Sequence, residues 1–188
     1  MTSHAEPKTL PLAKGVWTLD ANHSGVYFRV RHYGLSNVHG RFDRFDATLK
    51  VGGDRLADVQ VEATVDMTSV NTNQPDRDAH LRSTDFFSAD LHPEMVFRSI
   101  VVREKSDDEY ELEGDLAING VERNIVLDVE FNGLEVFPGD NKTHAGFTAT
   151  GMINREDFGV DFNMPLGMDR MALGQKVRIE LELQFVAP

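Results

Sequence analysis

The chain has 188 residues, with 31 acidic and 19 basic side chains, a formal charge of −12 and no cysteine. Such an acidic chain repels phosphate backbones, which argues against nucleic-acid binding, and without cysteine there are no disulfides, thiolate nucleophiles or thiolate metal ligands. Forty per cent of residues are hydrophobic, enough for a sizeable core in a chain of this length. No apolar run approaches the ~18 residues that span a bilayer. The opening MTSHAEPKTLPLAKG lacks the basic start and continuous apolar stretch of a secretory signal, so a soluble cytoplasmic protein is expected.

Residues 1–14 read as a polar, proline-containing arm and residues 15–188 as a single domain. From there the pattern has period two, the signature of strands with one apolar face. Val26, Phe28, Val30 and His32 share a face, opposed by Tyr27, Arg29 and Arg31. Val59, Val61, Ala63 and Val65 alternate with polar residues. So do Tyr110, Leu112, Gly114, Leu116 and Ile118, then Ile125, Leu127, Val129 and Phe131. The clearest case is Val177, Ile179, Leu181, Leu183 and Phe185. In VHGRFDRFDATLKV the phase changes: Val38 and Phe42 fall on one parity, Phe45, Ala47, Leu49 and Val51 on the other. An extra residue near Asp43–Arg44 restores a common inward face and predicts a β-bulge there. Asn119-Gly120 predicts a tight hairpin. Eight or so strands joined mainly by short turns imply an all-β antiparallel barrel, because closure removes exposed edges.

Two segments break the alternation. Residues 71–93 contain RDAHLRSTDFF, a basic stretch ending in two phenylalanines. Asn73 as N-cap, Pro75 in the first turn and Asp76 and Asp78 beside it predict a short helical insertion at about 73–91. Residues 155–174 carry Phe158, Phe162, Met164, Leu166, Met168 and Met171 without clean periodicity. They read either as a loop packed over one barrel end or as a lid above an apolar cavity.

The chemistry available points away from catalysis. His23, His32, His39 and His80 are the candidate metal ligands, but no close pair of the HxH or HExxH kind is present, so no metal or other cofactor is expected. Asp20, His23 and Ser24 are neighbours in sequence, which is not triad geometry, and no GxSxG elbow or phosphate loop appears. Inward residues such as Phe28, Val61, Leu112, Leu116, Leu127, Val129, Ile179 and Leu181 either line a narrow tube or fill it. Alternation does not distinguish the two.

Four segments resemble the YceI-like proteins: WTLDANHSGVYFRVRHYGLSNVHGRFDRFDATL, RDAHLRSTDFFSADLHPEMVFRS, LEGDLAINGVERNIVLDVEF and GMINREDFGV. They occur in the family's order from about Trp17 to Phe185. The resemblance implies an eight-stranded lipocalin-like barrel that binds an elongated amphiphile, typically a polyisoprenoid such as a prenyl pyrophosphate or an isoprenoid quinone. It implies binding without catalysis, and commonly a homodimer. Transferred to this chain, it makes Phe28, Phe86, Phe87, Leu112, Leu127, Phe158 and Met164 candidates for contact with the ligand's tail. His32, Arg77, His80 and Arg82 become candidates for its polar head, where an arginine suits a pyrophosphate or a quinone carbonyl. The glycines and the hairpin residues read as structural. Two alternatives stand beside this reading: a metal- or small-molecule-dependent enzyme at an interior histidine cluster, and a ligand-free structural barrel.

Overall fold

A computed structural model describes residues 10–188. Its strands are β1 (Gly15–Leu19), β2 (Gly25–His32), β3 (Ser36–Phe42), β4 (Phe45–Val51), β5 (Val59–Asp66), β6 (Val70–Asn71), β7 (Glu94–Ser106), β8 (Glu109–Ile118), β9 (Val121–Val136), β10 (Thr143–Asn154), β11 (Pro165–Gly167), β12 (Arg170–Met171) and β13 (Leu173–Val186). One α-helix, α1 (Pro75–Arg82), lies between β6 and β7. The pairing order β1-β4-β5-β7-β8-β9-β10-β13 is antiparallel throughout, and β13 pairs back with β1. Eight strands therefore close a barrel, leaving no open edge in its lower half.

The upper half is built differently. β2, β3 and β6 are the continuations of the strands that contain β1, β4 and β5, and they form a tier β13-β2-β3-β6. The three breaks sit side by side. A 3-10 turn at Ala21–His23 separates β1 from β2, and another at Met67–Ser69 separates β5 from β6. At the third break the Asp43 amide donates to the Ser69 carbonyl at 3.1 Å and the Arg44 amide to Ser69 Oγ at 3.0 Å. The sequence placed a bulge at Asp43–Arg44. The structure places a strand end and a strand start there, with the same outcome: Phe42 and Phe45, of opposite parity, both face inward.

Two apolar clusters follow from this division. One gathers Val26, Phe42, Met67, Phe86, Ile118 and Phe158 among others; the second holds Trp17, Leu49, Val51, Ala145 and Phe185. Trp17 is 1% exposed, and its Nε1 donates to the Ala13 carbonyl at 2.9 Å. That bond holds part of the expected arm on the barrel, since Leu10 and Leu12 pack on the lower cluster. Residues 1–9 of that arm lie outside the described residues.

The helical insertion is shorter than its sequence suggests. Asn73 is not the N-cap: its φ of 62° is left-handed, a region that asparagine tolerates. Gln74 caps instead, its side chain accepting from the Arg77 amide at 2.6 Å, with Pro75 as the first helical residue. The helix stops at Arg82, and residues 83–93 run on as turns. The Asn119-Gly120 hairpin has φ values of 54° and 72°, as a type I′ turn requires. Residues 155–174 are more ordered than the sequence suggests. A 3-10 turn at Arg155–Phe158 ends on Gly159, with φ of 70°, and a small β11–β12 hairpin follows.

Candidate functional site

The barrel is hollow. An upper chamber of about 470 Å³ lies under α1, and a lower chamber of about 190 Å³ lies in the closed eight-stranded half. Both are almost wholly apolar. The inward residues read from alternation line them: Phe28 the upper, Val61, Leu112, Leu116, Leu127, Val129 and Leu181 the lower, and Ile179 both. Two glycines make room for this lining. A Cβ on Gly40 would enter the Phe28 ring, and one on Gly114 would meet the Phe97 ring and the Arg98 carbonyl.

The expected tail contacts are divided between the chambers. Phe28, Phe86, Phe87, Phe158 and Met164 line the upper one, Leu112 and Leu127 the lower. Phe86 meets Phe162 at 5.1 Å between ring centroids and Phe42 meets Phe87 at 6.2 Å, so aromatic rings form much of the upper wall. Within the 155–174 segment, Phe158 and Val160 are buried core. Met164 lines the chamber while half exposed, and Met168 at the hairpin tip is 85% exposed. The segment thus both packs into the barrel and caps its upper end.

Of the expected head-group residues, His32, Arg77 and His80 line the upper chamber, and Arg82 lines neither. The reason is helical geometry: positions five apart point about 140° apart around a helix axis, whereas Arg77, His80 and Leu81 share a face. Arg77 is not paired with a neighbouring aspartate. Its Nε donates to Thr72 Oγ1 at 2.7 Å and its Nη2 to the Thr72 carbonyl at 2.9 Å. Thr72 is fixed in turn by buried Asp78, which accepts from its amide at 2.8 Å and its hydroxyl at 2.6 Å. His80 Nε2 lies 2.7 Å from Asp85 Oδ2, with its ring edge-on to Phe86 and Phe162. The upper chamber therefore carries a small polar patch held in place by hydrogen bonds.

The four candidate metal-ligating histidines are dispersed. His32 and His80 line the upper chamber, His39 is exposed on β3, and His23 lies in the turn between β1 and β2. Among the described residues, no group of three or more histidine, aspartate or glutamate side chains is arranged to hold a metal ion. His23 Nδ1 instead lies 2.8 Å from Asp20 Oδ2. Nearby, buried His144 stacks on Phe137 at 3.7 Å and places Nε2 2.9 Å from Asp140 Oδ2. The hydrogen bond with His23 holds the Asp20 carboxyl below its ordinary range, against the opposing effect of burial. Asp140 is lowered by the Lys142 amide first and then by His144.

Sequence reasoning missed several lining residues: Leu10 and Leu12 in the arm, Met67 in a strand break, and Met95 at the start of β7. Only Met95 had a signal, its shared parity with Phe97. Arg155 is more than a motif residue. It is 6% exposed and has no carboxylate hydrogen-bonded to it. Its Nε donates to Gly174 O at 2.9 Å and its Nη1 to Val160 O at 2.7 Å and Phe162 O at 3.0 Å. Burial lowers its pKa, with the Glu156 and Asp161 carboxylates acting in the other direction.

The fold recurs in known proteins. Residues 17–185 match the YceI-like domain. A UPF0312 protein of Staphylococcus aureus is 36% identical over 169 residues, covering 90% of this chain and 96% of that protein. Burkholderia cenocepacia BcnA superposes with a TM-score of 0.77 at 20% identity, over 88% of this chain and 98% of its own. The Campylobacter jejuni YCEI protein gives 0.71 at 28% identity, over 84% and 90%. A polyisoprenoid-binding domain of Saccharophagus degradans gives 0.65 at 15% identity, over 92% and 98%. With the domain match spanning nearly the whole barrel, the chain belongs to the YceI-like family.

Proposed function

We propose that this barrel binds an elongated amphiphilic lipid, a polyisoprenoid, with its tail in the chambers and its polar end beside Arg77 and His80. The observation that carries this reading is the size of the apolar void. The upper chamber of about 470 Å³ is lined almost wholly by apolar side chains, and an occupant that buries methylenes there gains about 0.8 kcal/mol for each. The Saccharophagus degradans neighbour described as polyisoprenoid-binding supports the same ligand class. The lining offers no nucleophile–base pair and the histidines are scattered, which favours binding over catalysis.

The test is organic extraction of protein purified from its own host, with mass spectrometry of the extract and native mass spectrometry of the complex. A stoichiometric prenyl lipid, with a pyrophosphate or quinone head, is the expected result. Protein that repeatedly emerges empty and takes up no prenol in vitro would overturn the reading.

A further inference from the structure

The two chambers meet at one level. Val26 of β2 and Ile179 of β13 stand on one side and Met95 of β7 on the other, and among the described residues these three alone line both chambers. They lie where the strands break. Val26 follows the turn between β1 and β2 and pairs with Phe42, the last residue of β3. Met95 pairs with Val65, two residues before the turn that interrupts β5 and β6. The level at which the chambers meet is therefore set by the same interruption that divides the barrel into two tiers.

Its three sides are not equivalent. Val26 and Ile179 are β-branched and stiff at χ1, and their strands pair with each other through Leu181↔Val26 and Ile179↔Phe28. Met95 is unbranched, with three rotatable bonds, and a thioether adapts to whatever surface it meets. It is half-buried and bordered by open space above and below. The lower chamber's lining includes Leu10, Leu12 and Leu56, so a chain that passes Met95 enters a second apolar space.

We infer that Met95 is a chain-length-determining residue. A short tail is accommodated by the upper chamber alone, and a longer one displaces the Met95 side chain and extends into the lower chamber. The inference rests on the amphiphile-binding reading above and adds to it a residue that sorts ligands by length.

The experiment uses the full chain and three prenols of increasing length, farnesol, geranylgeraniol and solanesol, each competing with a fluorescent farnesyl probe. In the wild-type protein, affinity is expected to rise along the series. Met95→Trp, which adds bulk where the chambers meet, is expected to weaken solanesol about tenfold or more relative to farnesol, since the lower chamber's methylene contacts are lost. Met95→Ala is expected to keep the wild-type ratio of solanesol to farnesol affinity. Met95→Phe makes the same comparison should the Trp variant not fold. Equal losses for farnesol and solanesol, or no loss for either, would overturn the inference while leaving lipid binding intact. A wild-type protein that binds no prenol would instead remove the reading on which it rests.

Discussion

Phe28 and Gly40 face each other across the β2–β3 pair, and the Phe28 ring occupies the space where any other residue at position 40 would place its Cβ. The glycine is thus a packing requirement of the chamber wall. Gly40→Val is expected to push the Phe28 ring into the chamber, destabilising the fold by about 1–3 kcal/mol and lowering prenol binding. Thermal unfolding and the farnesol competition assay would show both effects. Unchanged melting and unchanged binding would mean the wall relaxes without cost.

Arg77 is anchored through Nε and Nη2 to Thr72, which positions its guanidinium at the chamber with limited freedom. Arg77→Ala is therefore expected to weaken a prenyl pyrophosphate about tenfold more than the matching prenol, because an ionised hydrogen bond is worth about 1.5–3 kcal/mol and a neutral one less. Equal losses for the two ligands would remove the head-group role.

Arg155 supplies three hydrogen bonds to the Gly174, Val160 and Phe162 carbonyls and is buried. Arg155→Ala leaves those acceptors without a donor, at an expected cost of about 3 kcal/mol or more. Arg155→Lys is expected to recover only part of that loss, because a single ammonium lacks the planar fork. Urea denaturation of the two variants beside wild type tests this directly, and a lysine variant as stable as wild type would contradict it.

Acid is expected to loosen the turn between β1 and β2. The Asp20 carboxyl sits below its ordinary range because of its hydrogen bond with His23. A depressed folded-state value means stabilisation that is complete above the unfolded pKa of about 3.9 and is lost as pH falls through the folded value. Stability should therefore decline as pH drops below about 4, and Asp20→Asn should make that decline shallower. Denaturation midpoints measured from pH 6 down to pH 2 give the comparison; parallel curves for variant and wild type would rule out the contribution.

Much of this was legible from alternation, because a half-wet strand writes its inward face into the sequence. Every inward position read on the C-terminal strand, from Val177 to Phe185, lines a chamber. The phase change between Phe42 and Phe45 was also visible, although it marks a break and not a bulge. Whether the interior is hollow was not visible, since period two is the same for a packed tube and an empty one. The helix N-cap was misplaced because Asn73 serves equally well as a cap or as a left-handed residue. Arg82 was grouped with Arg77 when the family resemblance was carried onto this chain; counting around the helix separates them. Leu10 and Leu12 carried no periodic signal; that part of the arm folds back through their packing on the lower cluster, the bond from Trp17 to Ala13 and the bonds of the Leu10 amide and Lys14 to Asp54.

The insertion between β6 and β7 stands where the upper tier has no backbone ladder. It is tethered at one end by the two-residue pairing of β6 with β3 and at the other by the Met67 amide donating to Pro93 O at 2.8 Å. Between those tethers its contacts are side chains: Phe86 and His80 on Phe162, and His92 over Gly120. The flank it covers is therefore closed by side-chain packing, with Phe86 and Ala89 buried in the upper cluster, whereas the lower half is closed by a continuous ladder of eight strands.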